Sequence, residues 1–282
     1  MKTSVIIVRI IQIAALLSVV SFMCLAAFGQ PELLGKRIDK EYVEGQRNRN
    51  NTPGVEPCEK RVREQMDEET YSFGALYGLE TYDIPAKNLD FDGLRRDDNP
   101  HIYAWLTIPD TIIDYPIVQH PDQPDYYLTH NLDGSTGYPG CIYTQPVNSR
   151  DWTDNHTVIY GHNMRNGSMF AGLHAYEDKG FFEENPYIYI YSEDSVRVYR
   201  IFASYPFSDD HLLLNYNTET RQDYEEYLQL IGRIASEKGH YDEEAAPENG
   251  EPIITLSTCV ADKPAQRYLV QAVLEAEGTR IK

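Results

Sequence analysis

From about residue 86 onward the chain is cut into short apolar runs of β type, at 103–108, 112–118, 141–144, 157–161, 187–191, 196–205, 253–258 and 268–274. Clusters of Pro, Gly, Asn and Asp separate them, so the pattern predicts a mainly β body of eight strands, either a barrel or a sandwich. One stretch breaks the rhythm. Tyr224, Tyr227, Leu228, Ile231, Ile234 and Ala235 share one face at helical spacing. Thr220 is placed as the N-cap, Asp223 at the third helical position and Gly239 as the stop, which predicts a helix between the sixth and seventh runs. The 22 tyrosines suit strands and amphipathic surfaces better than helices.

The N-terminus has a different texture. Residues 10–29 carry no charge, and twenty helical residues span about 30 Å, the thickness of a bilayer's hydrocarbon core. The run is longer than an ordinary signal-peptide core, which favours an uncleaved transmembrane signal-anchor, although Ala27-Phe28-Gly29 resembles a cleavage site. Charge does not orient it: Lys2 and Arg9 precede the span, while Lys36, Arg37, Lys40, Arg47 and Arg49 follow it closely. Residues 30–70 are polar and charge-mixed, with a short helix expected over 56–69, and a more apolar stretch occupies 71–82. The expected organisation is an anchor over 1–29, a polar linker with a helical segment over 30–85, and a β body over 86–282.

Composition removes several function classes. A formal charge of −19 and a sequence pI near 4.7 argue against nucleic acid, since phosphate neutralisation needs a basic surface. Residues 1–29 contain two basic and no acidic side chains, so the remainder is more acidic still. Membrane attachment must then be hydrophobic rather than electrostatic.

Cysteine counting leads to the chemistry. Of the four cysteines, Cys24 lies in the apolar span, leaving Cys58, Cys141 and Cys259, so at least one thiol is free unless it pairs between chains. There is no CxxC, HxH or HExxH, which gives a metal site little support. Cys259 ends an apolar run and meets the loop-forming residues Ala261-Asp262-Lys263-Pro264, a place where a thiol can face substrate on a rigid backbone. The plainer reading of such a residue is a buried structural thiol. Arg267 opens the next run, and a tight antiparallel connection would set it beside Cys259 as a donor to a substrate carbonyl or an oxyanion; alone it would read as a solvated loop arginine. Most of the eight histidines lie in polar loop contexts and read as surface residues. His162 differs, because it directly follows the run 157–161 and so also sits at a strand end. An imidazole there can hold a thiol as thiolate or protonate a leaving amine, against the plainer alternative of a turn histidine bonded to backbone.

Together these residues resemble a known family. Tyr160-Gly161-His162-Asn163-Met164, with Gly167-Ser168-Met169-Phe170, is similar to the histidine motif of class B sortases, and Thr255-Leu256-Ser257-Thr258-Cys259 resembles the sortase TLxTC motif. Arg267 stands at the distance typical of several class B members. Trp105 to Ile108, Ile113 to Gln119 and Asp125 to Leu128 also match, so the resemblance covers about residues 86–282. It implies an eight-stranded sortase-like β-barrel, preceded by one transmembrane helix whose N-terminus is inside, with the catalytic domain on the extracellular face of a Gram-positive membrane. It implies a cysteine transpeptidase in which Cys259 attacks the threonine carbonyl of a C-terminal sorting motif of secreted proteins. His162 would exchange protons with the leaving and incoming amines, Arg267 would hold the substrate backbone and the oxyanion, and Tyr160 and Ser257 would line the peptide groove. An amine of a peptidoglycan precursor or a pilin lysine would resolve the acyl-enzyme. No cofactor and no metal are implied. Two other functions fit the residues without the resemblance: a secreted cysteine protease, and a non-catalytic surface barrel that binds peptides.

Overall fold

The structure, a computed structural model, describes Leu79, residues 81–248 and residues 250–279. The expected anchor over 1–29 and the expected helix over 56–69 lie outside the described residues. Among the described residues, no helix is long and apolar enough to cross a membrane.

Every one of the eight apolar runs forms a strand. They are β1 (Ile102–Thr107), β2 (Asp114–Val118), β3 (Ile142–Thr144), β4 (His156–Tyr160), β5 (Tyr187–Tyr191), β6 (Ser195–Ser208), β8 (Ile253–Val260) and β9 (Lys263–Thr279), with a two-residue β7 (His240–Tyr241) beside β6. The hydrogen-bonded order is β5-β1-β2-β3-β4-β8-β9-β6, and β5 pairs again with β6, so the eight-stranded ring closes. The predicted choice between barrel and sandwich thus resolves to a barrel, which leaves fewer open edges to manage. Two pairs are parallel, β2 with β3 and β4 with β8. Register shifts in β6 between Val198 and Tyr199 and between Ile201 and Ala203 bend this long strand around the closure.

Side-chain alternation divides the core in two. Within single strands, Ile159 and Val270 join the interior cluster with Leu106, Ile117, Ile190 and Leu256, while their neighbours Val158 and Leu269 join a second cluster. Helix α4 (Arg221–Lys238), which follows the short helices α1 (Phe91–Asp97), α2 (Lys179–Glu184) and α3 (Leu212–Asn215), covers that second cluster. Tyr224, Tyr227, Ile231 and Ala235 are its buried residues. Fully burying a large apolar side chain contributes about 1.5–3 kcal/mol, so this stripe holds the helix in place. Its ends are as expected: the Thr220 side chain accepts from the Asp223 amide, and Gly239 is the C-cap.

Three expectations need correction. The last strand begins at Lys263 rather than 268, and the loop expected over 261–264 shrinks to the turn Ala261-Asp262, where Asp262 has φ 59°. Pro264 is tolerated because it falls in the bulge between the Cys259–Arg267 and Val260–Lys263 pairs, where the ladder requires no N–H. Helix α1 was not anticipated: seven residues are too few for a periodic signal, and its start is fixed by the Asp90 carboxylate accepting from the Gly93 amide at 3.0 Å. His156 is not a surface residue. It is 2% exposed on β4, and Nε2 lies 2.8 Å from Thr255 Oγ1. Gln271 Nε2 donates to the same oxygen at 2.7 Å and to Tyr227 OH at 2.9 Å, while Tyr205 OH donates to Gln271 Oε1 at 2.8 Å. This chain of partners is what makes a polar patch tolerable beneath α4.

A second polar anchor ties the segment before α1 to the barrel. Asp114 accepts from Lys87 Nζ at 2.6 Å, Trp105 Nε1 at 2.6 Å and Thr107 Oγ1 at 2.9 Å. Burial alone would raise its carboxyl, but the Lys87 charge and these donors outweigh burial and hold it below the usual carboxylate range. That stability is present above the unfolded value of about 3.9 and is lost as pH falls through the depressed folded value. Asp114→Asn leaves the Lys87 ammonium without its counter-charge and is expected to cost about 3 kcal/mol in urea denaturation at neutral pH. Burial lowers the His156 imidazole to about 3, so the ring stays neutral in the fold while the unfolded chain protonates near 6.5. Its contribution is present above about 6.5 and declines as pH falls toward 3. His156→Gln is therefore expected to flatten the fall in urea stability between pH 7 and pH 5, and an unchanged slope would contradict this.

Candidate active site

The parallel pairing of β4 and β8 sets Tyr160 opposite Ser257, and the two strands end on the same side of the barrel. Contacts continue past that last rung: the Gly161 amide donates to Ser257 O at 3.1 Å, and Thr258 Oγ1 donates to Gly161 O at 2.8 Å. His162 and Cys259, each two residues beyond the Tyr160–Ser257 pair, are thereby brought to one place. On the other side of β8, Cys259 pairs in register with Arg267 of β9. His162, distant in sequence, joins the hairpin pair Cys259 and Arg267 because three neighbouring strands share one end.

Cys259 is an exposed free thiol, whereas Cys141 is buried, with Sγ 3.4 Å from His130 O. His162 is half-buried. Its Nε2 lies 2.7 Å from the Leu128 carbonyl, and the Tyr138 ring packs against it with centroids 4.9 Å apart. A carbonyl can only accept, so Nε2 carries a proton in this arrangement, and the nitrogen that can gain or lose one is Nδ1. The Leu128 carbonyl depends on a glycine. Gly140 has φ +67°, and a Cβ there would meet Tyr127 O at 2.7 Å and Leu128 O at 2.9 Å. The Arg267 guanidinium is folded back on its own turn, with Nη1 donating to Pro264 O at 2.9 Å and Gln266 O at 3.0 Å. Those bonds occupy Nη1 and leave Nε and Nη2 as the donors remaining for a substrate carbonyl.

Below these groups lie the two remaining predicted positions. Ser257 is buried at 6% exposure. Tyr160 is half-buried and stacks on Tyr143 with ring centroids 5.4 Å apart, and its hydroxyl is buried without a hydrogen-bond partner among the described residues. Burial, then the Asp125 charge, pushes the Tyr160 phenol above its ordinary range. Tyr143 is raised by burial, Asp125, Tyr160 and Cys259, and Arg267 opposes the shift. Tyr143 thus lies in the electrostatic field of the thiol and the guanidinium.

Several neighbours were not visible in the sequence. Asn163 Nδ2 donates to Cys259 O at 3.0 Å, and His174 Nε2 is 3.0 Å from the same oxygen. His174 belongs to the 3₁₀ segment Phe170–Glu177, its Nδ1 is 2.6 Å from Glu177 Oε1, and its ring stacks on Tyr268. Nothing in the spacing of 163, 174 and 259 signals these contacts. Among the described residues, no group of three or more His, Cys, Asp or Glu is placed to hold a metal ion.

The geometry can be compared with known proteins. A family model described as "Sortase domain" matches residues 106–275. Sortase B of Listeria monocytogenes is 37% identical over 202 residues, covering 68% of this chain and 80% of that protein. The chain belongs to the sortase family. Its relatives place it in class B, and it is a cysteine transpeptidase. The crystal structure of Clostridium perfringens sortase B superimposes with a TM-score of 0.59 at 30% identity, covering 66% of this chain and 99% of that one. The solved structure of the Listeria monocytogenes enzyme gives 0.53 at 36% identity, covering 62% and 95%. A Staphylococcus aureus sortase B–substrate complex, at 22% identity and a TM-score of 0.58, covering 65% and 83%, shares the fold.

One residue of this sortase tests how tightly the end of β4 is packed. A Cβ on Gly161 would stand 2.7 Å from the Phe170 ring and would also collide with Ile142 Cδ1. Both side chains are buried in the same core cluster, so neither can move away freely. Gly161→Ala is expected to lower stability by about 1–3 kcal/mol, read as a fall in thermal midpoint. A variant as stable as the parent would show that the turn into His162 has room to spare.

Proposed function

We propose that this sortase cleaves a C-terminal sorting motif of secreted proteins after a threonine and transfers the acyl group to an amine. The observation that carries the reading is the exposed Cys259 at the end of β8, opposed in register by Arg267 and adjoining the turn that bears His162. Cys259 attacks the threonine carbonyl as a thiolate, forming a tetrahedral intermediate whose oxyanion accepts from the Nε and Nη2 donors of Arg267. Collapse breaks the peptide bond and leaves a thioester on Cys259. The departing amine takes a proton from His162, and Nδ1 is the atom able to supply it while Nε2 remains bonded to Leu128 O. The incoming amine returns a proton to the same nitrogen as it displaces the thiol. Tyr160 and Ser257 line the peptide groove in this reading, Ser257 as a buried residue two positions before Cys259 on β8.

The acyl acceptor in this reading is an amine of the peptidoglycan precursor or a pilin lysine, and the protein works at the cell membrane. Residues 10–29 serve as an uncleaved single-pass anchor, with the barrel on the extracellular face. The length and apolarity of that run support this, and a hydrophobic anchor accords with the −19 charge of the chain.

The test is a peptide library of fixed threonine incubated with the enzyme, with mass spectrometry of cleaved products and of the trapped acyl-enzyme. Cleavage after threonine with the acyl mass on Cys259 is expected, and an added amine should divert product from hydrolysis to transfer. Cys259→Ala should abolish cleavage with the fold intact, and His162→Ala should lose about 10²–10⁴-fold, the range for a positioned acid–base group. Hydrolysis alone, insensitive to amines, would indicate a cysteine protease. Full cleavage by Cys259→Ala would overturn the assignment.

A further inference from the structure

We propose that His174, together with Asn163, is a positioning residue that clamps the main-chain carbonyl of Cys259. The inference rests on Cys259 being the nucleophile and adds a device that holds it.

The need for a clamp follows from the strand geometry. Carbonyls two residues apart on a strand point to the same side. Ser257 O points toward β4 and is satisfied there by the Gly161 amide. Cys259 O points the same way, but β4 ends at Tyr160, so no strand remains to receive it. In its place stand two side chains, Asn163 Nδ2 and His174 Nε2, each 3.0 Å from the oxygen. They extend the ladder by one rung beyond the end of its backbone. On its other side, Cys259 borders a register shift between Cys259 and Val260, where the ladder with β9 is interrupted and the backbone is freer to twist. The carbonyl clamp restrains the residue where the sheet itself does so least.

The ring holds the carbonyl when Nε2 carries a proton. Glu177 Oε1, 2.6 Å from Nδ1, keeps a proton on that nitrogen. A neutral ring of that tautomer presents a bare Nε2 that cannot bond the carbonyl, and the Asn163 amide is then the donor to Cys259 O. A charged ring donates from Nε2 to Cys259 O directly. Stacking on Tyr268, with ring centroids 5.1 Å apart, holds the imidazole plane in both cases. Asn163 adjoins His162, so the same amide also ties the histidine turn to the nucleophile across 96 residues of sequence. Sγ hangs from the backbone that this clamp fixes, and its position relative to His162 and Arg267 follows.

The experiment has one readout that needs no substrate. The Cys259 carbonyl ¹³C resonance reports hydrogen bonding to its oxygen, and His174→Ala is expected to move it upfield, with His174→Gln, whose amide can donate at similar reach, restoring most of the shift. On the best-cleaved library peptide, His174→Ala should lower kcat by about tenfold with KM within twofold, since misplacing a reacting group by 1 Å can cost about 10²-fold. His174→Gln should recover most of that loss, and the thermal midpoint should be unchanged in both. An unmoved resonance, a kcat within twofold of the parent, or a glutamine variant no better than alanine would overturn the proposal. Should Cys259→Ala still cleave the library, the reading of the nucleophile fails instead, while the carbonyl resonance still decides whether the clamp exists.

Discussion

The parallel pairing of β4 with β8 is the contact on which the rest of the site depends. In an antiparallel pair, the residues that follow one strand lie beside those that precede its partner. A parallel pair brings two C-terminal ends together, so the chain leaves both strands at the same rim. His162 and Cys259 meet there because the Tyr160–Ser257 rung is the last that backbone pairing supplies. Parallel strands need a long crossover, and here β5, β6 and α4 form it. The crossover also closes the ring through the β5–β6 and β6–β9 pairings, so the segment that separates the two site residues in sequence holds them together in space.

Beyond the last rung, side chains replace backbone. Thr258 Oγ1 takes Gly161 O, Asn163 takes Cys259 O, and the Leu128 carbonyl takes His162 Nε2. Each bond satisfies a polar group that a strand terminus would leave to water, and each also directs a reactive side chain. A site on such a rim gains exposure for its nucleophile without giving up the rigidity of the sheet a residue away. The Leu128 carbonyl shows how far the support reaches, since it is placed by a 3₁₀ turn that packs against a glycine able to adopt positive φ.

Legibility in the sequence followed the range of the interaction that decided each feature. Apolar alternation and turn residues are local, and they located all eight barrel strands; the Thr220 cap and the Gly239 stop are local as well, and they bounded α4. The pairing of Cys259 with Arg267 was legible because a hairpin joins them. Burial of His156 was not, because the residue looks polar in its own context and becomes tolerable only through Thr255, Gln271 and Tyr227, which come from elsewhere in the chain. The early start of β9 was hidden by Pro264, which signals a loop unless a bulge removes the need for its missing N–H. His174 carried no signal at all, since its significance lies in a carbonyl 85 residues away, and carbonyls are identical at every position.

The tyrosine excess takes on a second meaning at this rim. Tyr127, Tyr176, Tyr199, Tyr205 and Tyr224 are fully buried side chains that fill the core. Tyr143 and Tyr160 floor the site, where burial and the Asp125 carboxylate both push their phenols above the ordinary range. Such phenols remain neutral throughout the range in which an imidazole changes charge. The floor therefore contributes constant polarity and no titration of its own. Arg267 likewise stays charged, because a guanidinium does not deprotonate in proteins. In the proposed reaction, negative charge on Cys259 Sγ, or on the oxygen of the carbonyl carbon it attacks, meets a fixed cation above rings that cannot ionise in competition. Proton exchange in that reaction is thus left to the Cys259 thiol and to His162, whose Nε2 is held by the Leu128 carbonyl.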